Sequence, residues 1–187
     1  MAEPLAMWHA EHVNFARLLD LLEVQVAAFH RGERPNYELM SDIVYYLRSF
    51  ADRVHHPRED VAFARLVERE PGLALLIKRL RQEHRVISAA SDELFNRLNE
   101  ATEDVMAPRA ALEAAAATYV VYYRRHLAAE ESEVMPRAAQ LLTQEDWATV
   151  TATGVTPSDP LFGNEVEPRF RELRKQIAME VRVSRQE

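Results

Sequence analysis

The chain has 187 residues, of which 48% are hydrophobic and 28% are charged, and its formal net charge is −7. This composition is typical of a globular protein, and an acidic chain without a basic run is unsuited to nucleic acid. There is no cysteine, which excludes disulfides and thiolate metal sites, and four scattered glycines exclude phosphate-cradling loops. With no signal peptide and no apolar run of membrane-spanning length, we expect a cytoplasmic protein without a membrane partner.

The first half of the chain predicts two long helices. Apolar residues recur at three- and four-residue spacing from Trp8 to Phe29, which is the pattern of a helix with one buried face. A turn is predicted at 31–36, and a second helix over 37–69. Pro57 lies inside that second helix and is expected to kink it, because proline removes a backbone hydrogen bond.

The second half predicts two more long helices and a tail. Leu73 to Leu98 forms the inward series of a third helix, followed by a polar connection at 101–107. Pro108 suits the first turn of a fourth helix, which Met135-Pro136 should bend or end. A short helix at 145–151, a loop at 154–164 and an amphipathic helix at 166–183 complete the chain.

These elements predict an all-α fold, since no segment has the period-two pattern of a strand. Long helices joined by short connections favour an up-down-up-down four-helix bundle, which we assign to residues 1–142. Residues 143–187 are then a C-terminal helical extension packed on the bundle.

Four histidines and two glutamates lie on the inward faces of the four predicted helices. In an antiparallel bundle, two residues that are equally far from the turn between their helices lie at the same level. His12 and His55 meet this condition across the turn at 31–36, and further pairs of these six residues meet it across the next two connections. The pattern predicts one layer of potential metal ligands, formed by His12, His55, Glu59, His84, His126 and Glu130.

Two motifs in this layer occur twice, as in a pseudo-two-fold site. They are Glu11-His12 with Glu83-His84, and His55-x-x-x-Glu59 with His126-x-x-x-Glu130. Imidazole and carboxylate without sulfur suit iron, manganese or zinc, and the set exceeds the needs of one tetrahedral zinc ion. We therefore predict two ions, bridged by Glu59 and Glu130. Without a cation, each of these buried polar groups would cost several kcal/mol.

The remaining histidines give weaker signals. His56 shares its predicted face with polar residues, namely Ser49, Asp52, Arg53 and Asp60. That face is expected to be solvated, His9 lies off the inward series, and His30 sits at a helix end. His9 and His56 stay open as candidates for a further ligand. Tyr119 and Tyr123 are interpreted as core residues, with at most one of them reaching a bound ligand.

The pattern resembles the hemerythrin-like family, the HHE cation-binding domains. The residues that carry the resemblance are Glu11-His12, His55-His56-Pro57-Arg58-Glu59-Asp60, Glu83-His84 and His126-Leu127-Ala128-Ala129-Glu130-Glu131. It implies a non-haem di-iron centre in which one iron takes His12, the other iron takes nearby histidines and the two glutamates bridge. Members of the family store or carry dioxygen, sense oxygen or iron, respond to nitric oxide or peroxide, or repair iron–sulfur clusters.

The sequence departs from the oxygen-carrying members at Ser88, where those proteins have a further histidine. This departure predicts an incomplete carrier ligand set. The resulting hypothesis is a di-iron protein that binds or reacts with dioxygen, peroxide or nitric oxide, with zinc or manganese as alternative metals. An alternative is a metal or oxygen sensor, or an iron-binding regulatory module, without turnover. A ferritin-like oxidase is disfavoured because no histidine follows glutamate at Glu-x-x-His spacing, and the oligomeric state is left open.

Overall fold

The computed structural model describes residues 3–102, 109–153 and 158–183. Every regular element within these ranges is helical and none is a strand, so the all-α prediction is confirmed. None of the described helices combines the length and the apolar character needed to cross a membrane. Pro108, the rest of the connection after Thr102, and residues 154–157 of the predicted tail loop lie outside the described residues.

The first two long helices follow the predicted spans closely. The first helix is Glu3–His30, and Gly32 beyond it has a φ of 74°, a left-handed conformation that glycine adopts without steric cost. The second helix consists of α-helical Tyr37–Tyr46, π-helical Leu47–His55 and α-helical His56–Arg69.

The third and fourth helices complete the main body. The third begins with a 3-10 turn at Pro71–Leu73 and continues as Ala74–Thr102. The fourth consists of α-helical Arg109–Ala129, π-helical Glu130–Val134 and α-helical Met135–Leu141. Pro57 and Pro136 each follow a π-helical segment within two residues, so the backbone disturbance expected at both prolines takes the form of a widened turn.

Two apolar clusters fill the interior, and a polar layer separates them. One cluster includes Phe15 and Ala51, and the other includes Trp8 and Ala62. His12 lies between Trp8 and Phe15 along the first helix. On each of the other three helices, the polar residues of the layer likewise lie between residues of one apolar cluster and residues of the other. The described core is therefore interrupted at the level that the sequence assigned to the metal ligands.

The C-terminal segment packs against both ends of this core. The helix Gln144–Thr151 begins with a capping box between Thr143 and Asp146, and Trp147 packs edge-on to Trp8 with ring centroids 5.3 Å apart. A 3-10 turn at Pro168–Phe170 leads into the last helix, Arg171–Val183. In the loop before it, Asp159 accepts a 2.8 Å hydrogen bond from the Tyr46 hydroxyl.

Candidate metal centre

All six predicted ligands meet in the polar layer, where they form two groups. In the first group, the Nε2 atoms of His12 and His55 face each other at 2.9 Å. Glu59 Oε1 lies 3.2 Å from the former and 3.1 Å from the latter. These three donors lie close enough to one another to hold one cation.

The second group contains His84 and His126, together with His56. The His56 and His84 rings stack with centroids 4.2 Å apart, and the His126 ring stands edge-on to both. Glu130 Oε1 lies 3.2 Å from His84 Nε2 and 3.1 Å from His126 Nε2. The three imidazoles form a second set of donors that suits a cation.

The two glutamates connect the groups. Glu59 Oε2 reaches to 3.5 Å from His84 Nε2, and Glu130 Oε2 reaches to 3.7 Å from His12 Nε2. Glu59, His84 and Glu130 also form a donor set of their own. Each glutamate is 1% exposed and uses one oxygen toward each half, which is the arrangement that bridging carboxylates require.

The solvated position expected for His56 is wrong. His56 is buried, and so is the Asp52 side chain that was assigned to the same solvated face. The physical reason is the π-helical turn, in which the His56 N–H donates to Ala51 O, five residues back. The buried pair Phe50-Ala51 is therefore followed by His55-His56 after a five-residue step, and both histidines face inward.

Each of the five imidazoles has a carboxylate beside its Nδ1 atom. The N–O distances are 2.8 Å for His12–Glu131, 2.5 Å for His55–Glu11, 3.3 Å for His56–Asp52, 3.2 Å for His84–Asp60 and 2.9 Å for His126–Glu83. Such carboxylates fix the tautomer of a ligating histidine and raise its basicity. All five rings consequently present Nε2 as the atom available to a metal.

These carboxylates also set the protonation of the metal-free layer. Burial disfavours the charged form of His12, yet its hydrogen bonds to Glu131 and Glu59 raise its pKa to about 10. Burial is likewise overcome at His84, where the hydrogen bond to Asp60 contributes most to raising the pKa to about 11. A cation that enters the layer must therefore displace protons from imidazolium groups.

The pKa values of Glu59 and His56 are also shifted in directions that favour a cation. Burial alone would raise the pKa of Glu59, but the charge of His55 and the surrounding hydrogen bonds hold it well below its usual range. Burial, reinforced by the charge of His84, lowers the pKa of His56 well below its ordinary value. Glu59 is thus ionised and His56 neutral near pH 7, which are the forms that coordinate metals.

Unsatisfied atoms in the layer provide a test of fit. Among the described residues, Glu59 Oε2, His126 Nε2 and Glu130 Oε2 are buried without a hydrogen-bond partner. Buried polar atoms are normally satisfied, and three of the seven orphaned side-chain atoms among the described residues belong to the predicted ligands, while a fourth, Asp52 Oδ1, lies beside His56. The donor set of five imidazoles and two carboxylates therefore fits metal cations.

The other histidines lie outside the centre. His9 is 56% exposed at its side chain and its Nδ1 lies 3.0 Å from Glu131, so it contacts the carboxylate that holds His12 rather than the donor groups. His30 pairs with Glu113 at the far end of the first helix. Of the two residues left open as further ligands, the geometry thus favours His56 over His9.

Sequence reasoning missed the outer carboxylates and the inward position of His56. The repeated Glu before His12 and His84 was visible, but its role was not, because Glu11 pairs with His55 and Glu83 with His126 on other helices. For His56, the available signal was Pro57, which follows it directly and cannot donate a backbone hydrogen bond.

Comparison with known proteins agrees with this geometry. Residues 3–138 match the family model described as the hemerythrin HHE cation-binding domain. When the sequence is compared with individual curated proteins, none matches. The matched range contains every residue of the two donor groups and most of the chain, so the chain belongs to the hemerythrin HHE cation-binding domain family.

Proposed function

We propose that the protein holds two non-haem iron ions and binds or reacts with dioxygen, peroxide or nitric oxide. The observation that carries this proposal is the outer ring of carboxylates. Four rings are hydrogen-bonded at Nδ1 and Asp52 lies 3.3 Å from Nδ1 of the fifth, which leaves five Nε2 atoms for metal. The ligands would be His12 and His55 in one half and His56, His84 and His126 in the other. Glu59 and Glu130 would bridge, on an up-down-up-down arrangement of the four helices.

A bound iron pair supplies redox chemistry and open coordination positions, and the chain's own residues decide how a small molecule meets it. The carboxylates hold the imidazoles in place, so the donors do not reorganise when a ligand enters. The apolar clusters on either side include Phe15, whose ring packs edge-on to His55 and excludes water from that side. A water-poor layer of this kind favours small ligands such as dioxygen, nitric oxide or peroxide.

His56 restores the ligand count that Ser88 left incomplete. The inference that the chain lacks a carrier's ligand set depended on the absence of a histidine at position 88. The second helix instead contributes a fifth imidazole, which stacks on His84. Reversible binding of dioxygen is therefore a possible outcome of the experiment, as is reaction with peroxide or nitric oxide.

The deciding experiment is metal analysis and optical spectroscopy of protein purified without oxygen after iron-replete expression. We expect two irons per chain and a change in absorbance when dioxygen, nitric oxide or peroxide is added. One zinc per chain would contradict the proposal. Catalytic consumption of peroxide would identify an enzyme, whereas stoichiometric binding would favour the sensor or regulatory alternative. That alternative is supported by the burial of Glu59 and Glu130, which couples metal occupancy to stability.

A further inference from the structure

Three buried tyrosines lie near the polar layer, and they differ in how their hydroxyls are satisfied. Tyr46 donates to Asp159 at 2.8 Å, and the hydroxyl of Tyr119 lies 2.8 Å from that of Ser91. Tyr123 is 0% exposed, and the partner found for its hydroxyl within the described residues is His56 Nε2 at 3.5 Å. A contact of that length is weak, whereas buried tyrosine hydroxyls normally have a good partner.

This weak contact disappears if His56 binds a metal. Resting on the proposed function, the Nε2 atom of His56 is the ligand atom, so its lone pair is no longer available to the tyrosine. The Tyr123 hydroxyl is then a buried donor without an acceptor, which costs free energy. Its ring lies 6.0 Å from that of His56 and 6.3 Å from that of His126, and its hydroxyl lies 3.5 Å from His56 Nε2, so the tyrosine borders the three-histidine group.

We propose that Tyr123 is the hydrogen-bond donor for the small ligand that enters the metal centre, and that it favours ligands bearing negative charge on an outer atom. A single fixed donor in a water-poor layer stabilises an anion more than a neutral diatomic molecule. The ligand class is therefore a small anion, for which azide is a suitable probe. Tyr119 is the contrasting residue, because its hydroxyl already has a hydrogen-bond partner in Ser91 at 2.8 Å.

The test compares Tyr123→Phe with the matched control Tyr119→Phe in iron-loaded protein. Azide is titrated and followed by absorbance. We expect Tyr123→Phe to keep both irons and to bind azide about ten- to hundredfold more weakly, as is typical of losing a hydrogen bond to a charged group. Tyr119→Phe should bind azide like the wild type.

Thermal unfolding of the iron-loaded, azide-free protein gives a second readout. Tyr123→Phe should leave the midpoint unchanged or raise it, because it removes an unsatisfied hydroxyl. Tyr119→Phe should lower the midpoint, because it breaks the bond to Ser91. If Tyr123 is merely structural, Tyr123→Phe would lower the midpoint as well, and azide binding would not change.

Failure of this proposal is distinguishable from failure of the proposed function. A wild-type chain that binds no metal overturns the proposed function. An iron-loaded wild type that does not bind azide, or binds it as Tyr123→Phe does, overturns the donor role alone. Loss of iron in Tyr123→Phe also overturns it, since the tyrosine would then be a ligand.

Discussion

The two halves of the metal centre come from repeated motifs, yet they are built differently. His55-His56-Pro57-Arg58-Glu59 in the second helix corresponds to His126-Leu127-Ala128-Ala129-Glu130 in the fourth. Both residues that follow the first histidine are buried, but one is His56 and the other is Leu127, which belongs to an apolar cluster. The motif with the proline therefore places an additional imidazole, His56, in the three-histidine group, and the motif without it supplies packing.

The same comparison explains which outer residues hold each half. Arg58 is buried and donates two hydrogen bonds to Glu11, at 2.8 and 2.9 Å, whereas the corresponding residue Ala129 can donate none. Asp52 and Tyr123 also occupy equivalent positions, and they approach His56 at Nδ1 and Nε2 respectively. The sequence repeat therefore sets the level of the predicted ligands, while differences at single positions make the surroundings of the two donor groups chemically distinct.

The largest effect is expected for Glu59→Gln, because Glu59 belongs to donor groups on both sides. An uncharged amide is a much poorer ligand than a carboxylate, so both ions should be lost although the side chain keeps its shape. Elemental analysis should fall from two irons per chain to none. Glu93→Gln, at an exposed residue paired with Arg97, is the control and should retain both. Retention of two irons in Glu59→Gln would disprove the bridging role.

Arg58→Met tests whether the outer carboxylates of the two halves are held in different ways. Removing the guanidinium takes two hydrogen bonds from the buried Glu11 carboxylate and leaves it with His55 as its partner, and breaking a buried pair costs at most about 3–5 kcal/mol. Urea unfolding of the metal-free protein should report this loss. Arg79, which lies 3.5 Å from Glu83 in the other half, is 52% exposed at its side chain. Arg79→Met should therefore cost no more than about 1 kcal/mol.

Equal losses in the two arginine variants would show that the halves are held alike. The double variant Arg58→Met, Glu11→Gln gives a further check, because it also removes the charge of the carboxylate. It should recover part of the stability lost in the single variant if the buried carboxylate is the cause.

His56→Ala separates the two ion positions. The first group keeps all its donors, so one iron should stay bound while the ion of the three-histidine group is lost or weakly held. His9→Ala should retain both irons, since His9 contacts Glu131 outside the donor groups. If His56→Ala binds two irons as tightly as the wild type, the π-helical turn has no role in metal binding and the four predicted histidines suffice.

The sequence predicted the level of the site in the bundle better than the full set of residues that form the site. Spacing placed His12, His55, His84 and His126 together because helical periodicity and turn positions are local properties of the chain. The inward position of His56 depends instead on one five-residue step before Pro57, and periodicity analysis assumes 3.6 residues per turn throughout.

The outer carboxylates escaped prediction for a different reason. Glu11 and Glu131 each belong to one helix and serve a histidine of another, so their roles depend on how side chains point between helices. Intrahelical spacing contains no information about such pairs. Tyr123 was correctly placed in the core, but only the distance to His56 distinguishes it from Tyr119.

The last effect concerns pH, and it follows from His12 and His84, the equivalent histidines of the two halves. In the metal-free protein their pKa values are raised to about 10 and about 11, so protonation stabilises the fold. That contribution is fully present below the unfolded pKa of about 6.5 and is lost as pH rises toward 10 and 11. Metal binding requires the same protons to leave, so iron affinity should rise roughly tenfold per pH unit for each displaced proton.

The two trends predict that the difference in unfolding midpoint between the iron-loaded and the metal-free protein widens as pH rises. Between pH 6 and 8, the unfolding midpoint of the metal-free protein should fall or stay level, while that of the iron-loaded protein should rise relative to it. Chelator competition at the same pH values reports the affinity directly. His30→Ala serves as the control, because His30 is exposed and pairs with Glu113 away from the layer, and it should leave the slope unchanged. A flat affinity profile in the wild type would mean that the imidazoles are already neutral before metal arrives, and that the outer carboxylates orient the rings without holding protons on them.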